Sequence, residues 1–145
     1  MSDFAQVEPR ATPVHTDYGP SADASVVSVH RDSSGLCVHV KSETWEAQVL
    51  FETDWGFRVL GELDLSEFWR NFSLRDGWLF EVHAGGWLDL ERTRPSFTSG
   101  RLYQLREYIV VGTGNCVSVI AEQAPEIRGA PSNNSFNPMP LRGTG

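Results

Sequence analysis

Lysine is almost absent from this chain. Of its 12 basic residues 11 are arginine, and only Lys41 is lysine, against 19 acids. The resulting formal charge of −7 argues against a binder of nucleic-acid phosphates or a polybasic membrane-surface protein. No run of about 18 apolar residues occurs, so no segment reads as a bilayer-spanning helix. The opening residues, Met1 to Gln6, show neither the basic start nor the apolar stretch of a secretory leader, and the expected compartment is the cytoplasm. Cysteine is scarce too. Cys37 and Cys116 lie far apart in apolar stretches, which reads as small buried thiols rather than a disulfide. Neither has a second cysteine at metal-ligand spacing, which excludes a structural zinc site.

Catalytic signatures are missing as well. No Gly-x-Ser-x-Gly elbow and no His-Glu-x-x-His occurs, and neither cysteine has a partner at a recognisable spacing. Gly112-Thr113-Gly114-Asn115 is rich in glycine but lacks a following Lys-Ser/Thr and opens a strand, so it reads as a turn and not a phosphate cradle. The expectation is a non-enzymatic protein without cofactor or metal.

What is present is a chain of one domain's length, 145 residues, with 40% hydrophobic and 11% aromatic residues. Residues 1–20 carry Pro9, Pro13 and Pro20 without periodicity and read as a flexible arm. Residues 124–145 contain four further prolines among Asn, Ser and Gly and read as a tail. Residues 21–123 are left for a single globular domain.

That middle reads as paired strands. Val27, Val29, Leu36, Val38 and Val40 alternate with polar residues about an Arg31–Ser34 turn, which pairs Val29 with Leu36. Ala47, Val49, Phe51, Phe57 and Val59 form a second expected hairpin, whose tip, Thr53 to Gly56, exposes Asp54 and Trp55 together. Leu65, Phe68, Trp69 and Phe72 fall at helical spacing behind Asp64 and Glu67, a possible capping box, and predict one short helix over about 64–72. The runs 103–111 and 116–121 are nearly all apolar around their turn and read as central strands covered on both faces. The expected fold is mainly β, bordering on α+β: a curved antiparallel sheet or half-barrel of about eight strands, with the helix packed on it.

Residues 78–91 form the last expected hairpin. A two-residue turn at Gly85-Gly86 would pair Val82 with Asp89, whereas a three-residue loop pairs Val82 with Leu88 and Phe80 with Leu90. The second register keeps one face apolar. It leaves Glu81 opposite Asp89 on the other face, with Glu91, His83 and Trp87 beside them. Two abreast carboxylates repel. Solvent screening, an arginine of the same chain such as Arg92 or Arg94 reaching over, a basic partner, or a metal held by His83, Glu81 and Asp89 would each account for them.

Between Glu43 and Glu91 eleven acids face three arginines, a net of −8, while the remainder of the chain sums to +1. Acids steer a basic partner and aromatic side chains hold it. The expected partner-binding residues are therefore Glu81, His83, Trp87, Asp89 and Glu91, with Glu52, Asp54 and Trp55 at the neighbouring tip.

The segments Gly77 to Val82, Gly85 to Glu91, Arg106 to Val111 and Cys116 to Ile120 resemble, within residues 45–127, small bacterial proteins encoded beside polymorphic or contact-delivered toxins. Those proteins act as cognate immunity proteins. The resemblance implies a non-enzymatic stoichiometric inhibitor. Together with the concentrated acidity, the expectation is a monomer or weak dimer that covers a basic toxin domain. The alternative expectation is a half-barrel that binds or transforms a small molecule in a pocket between sheet and helix. Tyr103, Tyr108, Trp69 and a buried carboxylate would line that pocket.

Overall fold

The computed structural model describes residues 8–129. Its nine strands are β1 (Arg10–Pro13), β2 (Ser25–Asp32), β3 (Gly35–Lys41), β4 (Glu46–Phe51), β5 (Asp54–Gly61), β6 (Leu79–Ala84), β7 (Arg106–Val111), β8 (Asn115–Ala121) and β9 (Glu126–Gly129). The short helices are α1 (Ser66–Trp69), which follows a 3-10 turn at Glu62–Leu65, α2 (Trp87–Glu91) and α3 (Ser99–Leu102). The fold is mainly β and antiparallel, as expected. The strands divide between two sheets, ordered β1-β6-β7-β8-β5 and β2-β3-β4-β9, and neither closes into a barrel.

Two layers of apolar side chains explain the division. Leu36, Val38 and Val40 of β3 and Ala47, Val49 and Phe51 of β4 alternate inward with period two. They meet Leu79, Tyr108, Val110, Val117 and Val119 of the larger sheet in one core. The opposite face of the larger sheet carries Phe80, Val82, Ile109, Val111 and Cys116, and the stripe of Leu65, Phe68 and Phe72 lies on it. β7 and β8 are thus buried on both faces, as their unbroken apolar runs predict.

Several local expectations are corrected. β4 and β5 are not a hairpin. They belong to different sheets, and the turn at Glu52 and Thr53 carries the chain between layers. The β2–β3 register is two residues from the expected one, pairing Val29 with Val38 and leaving a shorter Ser33-Ser34 turn. A shift of two preserves the face at Val29, but a bulge between Val26 and Ser28 turns the expected inward residue Val27 out to solvent and packs Val26 on the core in its place. The expected arm is docked where it is described: β1 pairs with β6, and the Trp78 indole N–H donates to Tyr18 O at 2.9 Å. Tyr18, Trp45 and Trp78 then pack ring against ring, at 5.7 and 5.0 Å between centroids. The expected tail contributes β9, paired with β4, and its remainder from 130 lies outside the described residues, as do residues 1–7 of the arm.

The correction that matters most for function is at Trp87–Glu91. This segment is helix α2 and not a strand, so the 78–91 hairpin does not exist. Gly85, at φ 75°, takes the left-handed conformation at the end of β6, and the chain turns away from the sheet.

Candidate functional site

β5 is an edge strand of the larger sheet, and a bulge between Asp54 and Gly56 interrupts its pairing with β8. A bulge re-aims the side chains around it. Asp54 turns inward, its side chain 2% exposed, and both of its oxygens lie 3.2 Å from Arg31 Nε on β2. Trp55, the unpaired residue, turns outward and is 42% exposed. Its indole N–H donates to Glu122 Oε2 at 2.7 Å, and its ring stacks on Tyr103 at 4.7 Å and 21°. Tyr103 directly follows α3 and is equally exposed, and neighbouring Leu102 is more so. Two shallow concavities border the aromatic pair. One, of about 260 Å³, lies among Arg31, Asp54, Trp55 and Phe57. The other, of about 380 Å³, lies among Arg92, Tyr103, Gln104, Arg106 and Glu122.

Trp87 covers the same flank further along β5. A Cβ on Gly56 would lie 3.5 Å from its ring, and the Arg58 guanidinium sits over that ring at 5.1 Å. Burial lowers the basicity of Arg58, opposed by the negative charges of Glu107, Glu67 and Glu91. Its Nε and the hydroxyl of Ser118, the residue opposite on β8, have no hydrogen-bond partner among the described residues. Glu107 on β7 is 1% exposed and accepts the backbone N–H groups of Trp87 at 3.1 Å and Leu88 at 2.9 Å. Burial pushes its carboxyl up from the ordinary value, against the pull of those two N–H groups and of Arg58.

The expected binding residues are dispersed by α2. Trp55 and Trp87 do come together on the β5 flank. Glu81 stands instead between Thr12 of β1 and Tyr108 of β7, and exposed His83 pairs with Thr12 Oγ1 at 2.8 Å. Strand β6 lies three positions from β5, about 14 Å across the sheet. Asp89 is not abreast of Glu81. It accepts the Gly85 N–H at 2.7 Å, while Glu91 pairs with Arg94 at 2.9 Å. The unbalanced acidic face is therefore absent: one of its carboxylates holds a turn and another holds an arginine of the same chain. Glu52 is exposed in the β4–β5 turn, whereas Asp54 beside it is buried.

Sequence reasoning missed Arg58, Glu107 and Glu122. Glu107 had a signal, since a lone acid in the run Glu107 to Val111 marks a buried carboxylate. Glu122 had none, because only the bulge brings Trp55 to it. The residues of the alternative pocket do not converge. Tyr103 is on the surface, Tyr108 faces the smaller sheet, and Phe68 and Phe72 fill the space between helix and sheet beside Trp69. His30 stands opposite Cys37 on the outer face of the smaller sheet, and both line a concavity of about 360 Å³. Cys37 is half-buried rather than buried, burial raises its thiol pKa, and both cysteines are free. Among the described residues no three of His, Cys, Asp and Glu gather as a metal site, and no helix is long and apolar enough to cross a membrane.

These features define a mainly β protein of two antiparallel sheets whose open edge strand displays a stacked aromatic pair. Compared with protein families, curated proteins and solved structures, the chain finds no match.

Proposed function

We propose that this chain is a non-enzymatic binding protein that covers a partner protein, as an immunity protein covers a toxin domain, and that the contact centres on Trp55 and Tyr103. The observation that carries this is the stack itself, half open to solvent yet fixed by the bulge beneath it and by the Glu122 hydrogen bond. Rigid aromatic side chains offer large contact area at low entropic cost, and interface energy concentrates on such residues. Exposed Leu102 extends the apolar centre, and Glu122 with Arg92 and Arg106 gives it a mixed charged border. This flank replaces the hairpin face expected from sequence, while the partner class stays the same: a basic toxin domain, met by a chain of net charge −7.

The test is co-expression with the toxin domain encoded beside this gene, followed by affinity measurement on the purified pair. The wild-type chain protects the cells. Trp55→Ala and Tyr103→Ala each weaken binding by about 30-fold or more, equivalent to about 2 kcal/mol. Leu63→Ser, at an exposed site before α1, leaves affinity unchanged. Failure to protect removes the immunity role. Unchanged affinity in both aromatic variants removes the site.

A further inference from the structure

Residues 85–105 leave the larger sheet after β6 and return to it at β7, and they carry Trp87, Leu102 and Tyr103. The hydrogen bonds of this lobe close almost entirely on itself. Gly85 donates to Asp89, Arg94 to Glu91 and Arg101 to Pro95, and the backbone bonds run within α2, α3 and the turns between them. Among the described residues it sends two hydrogen bonds to the rest of the protein, from the Trp87 and Leu88 N–H groups. Both end on the Glu107 carboxylate. The other attachments are apolar or aromatic: Leu88, Phe97 and Leu105 over Ile120, Tyr103 on Trp55, and Trp87 under Arg58.

Among the described residues one carboxylate therefore takes every hydrogen bond that the lobe sends to the sheet, and it stands in an unfavourable place. An ionised carboxylate offers about four acceptor positions and here fills two, with 1% of the residue open to water. The charges that face it are Arg58 from β5, without a hydrogen bond, and Asp89 from α2, which opposes ionisation. Arg58 is itself shared with Glu67 of α1 and Glu91 of α2. If the lobe lifts, Glu107 regains water and its ionisation becomes easy.

We propose that residues 85–105 form a proton-controlled latch, held closest to the sheet when Glu107 carries a proton and lifting more often when it is ionised. The sign follows from linkage. A group that binds its proton more tightly in the closed state favours closure at low pH, and that favour is lost as pH rises through its closed-state pKa. The direction found for Glu107, up from 4.5 through burial, agrees with this. The latch stands on the burial of Glu107 beneath the lobe, which outweighs the two N–H groups and Arg58 that favour its ionised form, and does not depend on what the aromatic flank binds.

Amide hydrogen exchange on the full chain, followed by NMR and corrected for intrinsic rates, tests it. Protection of the Trp87 and Leu88 amides falls as pH rises above 4.5 and levels off once Glu107 is ionised. The drop is about tenfold for each unit separating closed and open pKa values. The amides of Ile109 and Ser118 in the sheet stay constant, and in Glu107→Gln the dependence at Trp87 and Leu88 disappears. Protection that is flat, that rises with pH, or that keeps its slope in Glu107→Gln overturns the latch. A second measurement needs no variant: the Glu107 side-chain carboxyl carbon of the wild-type chain titrates above the ordinary glutamate range. Titration at or below that range overturns the proposal equally.

Discussion

At the scale of single residues, Gly86 shows how closely the lobe is fitted to its attachment. A Cβ there would lie 2.6 Å from Glu107 Oε1 and 2.8 Å from Val82 Cγ1, and the missing methyl lets the carboxylate reach the next two N–H groups. Gly86→Ala must displace the carboxylate or the strand beneath it. It lowers stability by about 1–3 kcal/mol in urea unfolding, the usual cost of overpacking. Gly56→Ala, whose new methyl meets Trp87 at an ordinary 3.5 Å, changes stability far less. Equal effects in the two variants would mean that Glu107 moves aside freely and does not fix α2. Trp55 makes a related point. Its neighbour Asp54 is far more polar and was expected to share its exposure, yet the bulge buries the acid and exposes the indole. Composition alone had no means of separating them.

At the scale of elements, legibility followed how locally each one is specified. The stripe of Leu65, Phe68 and Phe72 was readable because the apolar face that makes the segment helical is also the face that packs on Phe80 and Ile109. The β7–β8 pair was readable because continuous burial leaves no polar position except Glu107 and Ser118. Trp87–Glu91 was not. Five residues span barely more than one helical turn, so Leu88 and Leu90 alternate as well in a strand as in a helix. What decides for helix is Glu107, twenty residues further along, which holds the first N–H groups of α2. β1 was hidden in the same way, since the exposed edge of β6 and not the arm's own period specifies it. The capping box is a smaller case: neither the 3-10 turn nor α1 has a side-chain cap. Asp64→Ala should therefore cost under about 0.5 kcal/mol, below the ~1 kcal/mol of a true N-cap. Phe68→Ala, which empties a fully buried site, should cost about 3–5 kcal/mol in the same denaturation assay. A full capping cost at Asp64 would restore the sequence expectation.

At the scale of the whole molecule, the proposed binding role assigns different tasks to the charge and to the aromatic flank. The net charge of −7 is spread over many acids, several of them held by arginines of the same chain, such as Glu91 by Arg94 and Glu126 by Arg128. Distributed charge acts at distances beyond van der Waals contact and therefore on the rate of encounter, and mobile ions weaken it. In the proposed complex the Trp55–Tyr103 stack would act only once surfaces touch, and so on the lifetime of that complex. For a basic toxin domain, raising ionic strength from about 50 to 300 mM, where the Debye length falls to well under 10 Å, should slow wild-type association several-fold and leave dissociation nearly unchanged. Trp55→Ala should show the same salt slope in its association rate, with dissociation about 30-fold or more faster. A charge reversal remote from the flank, such as Glu43→Lys, should lower association modestly without touching dissociation. The two effects separate because one belongs to the chain's whole field and the other to a single bulged residue on β5. Stopped-flow or surface binding kinetics measure both. A Trp55→Ala variant that lost association rate while keeping its dissociation rate would place the aromatic pair outside the interface and leave only the field.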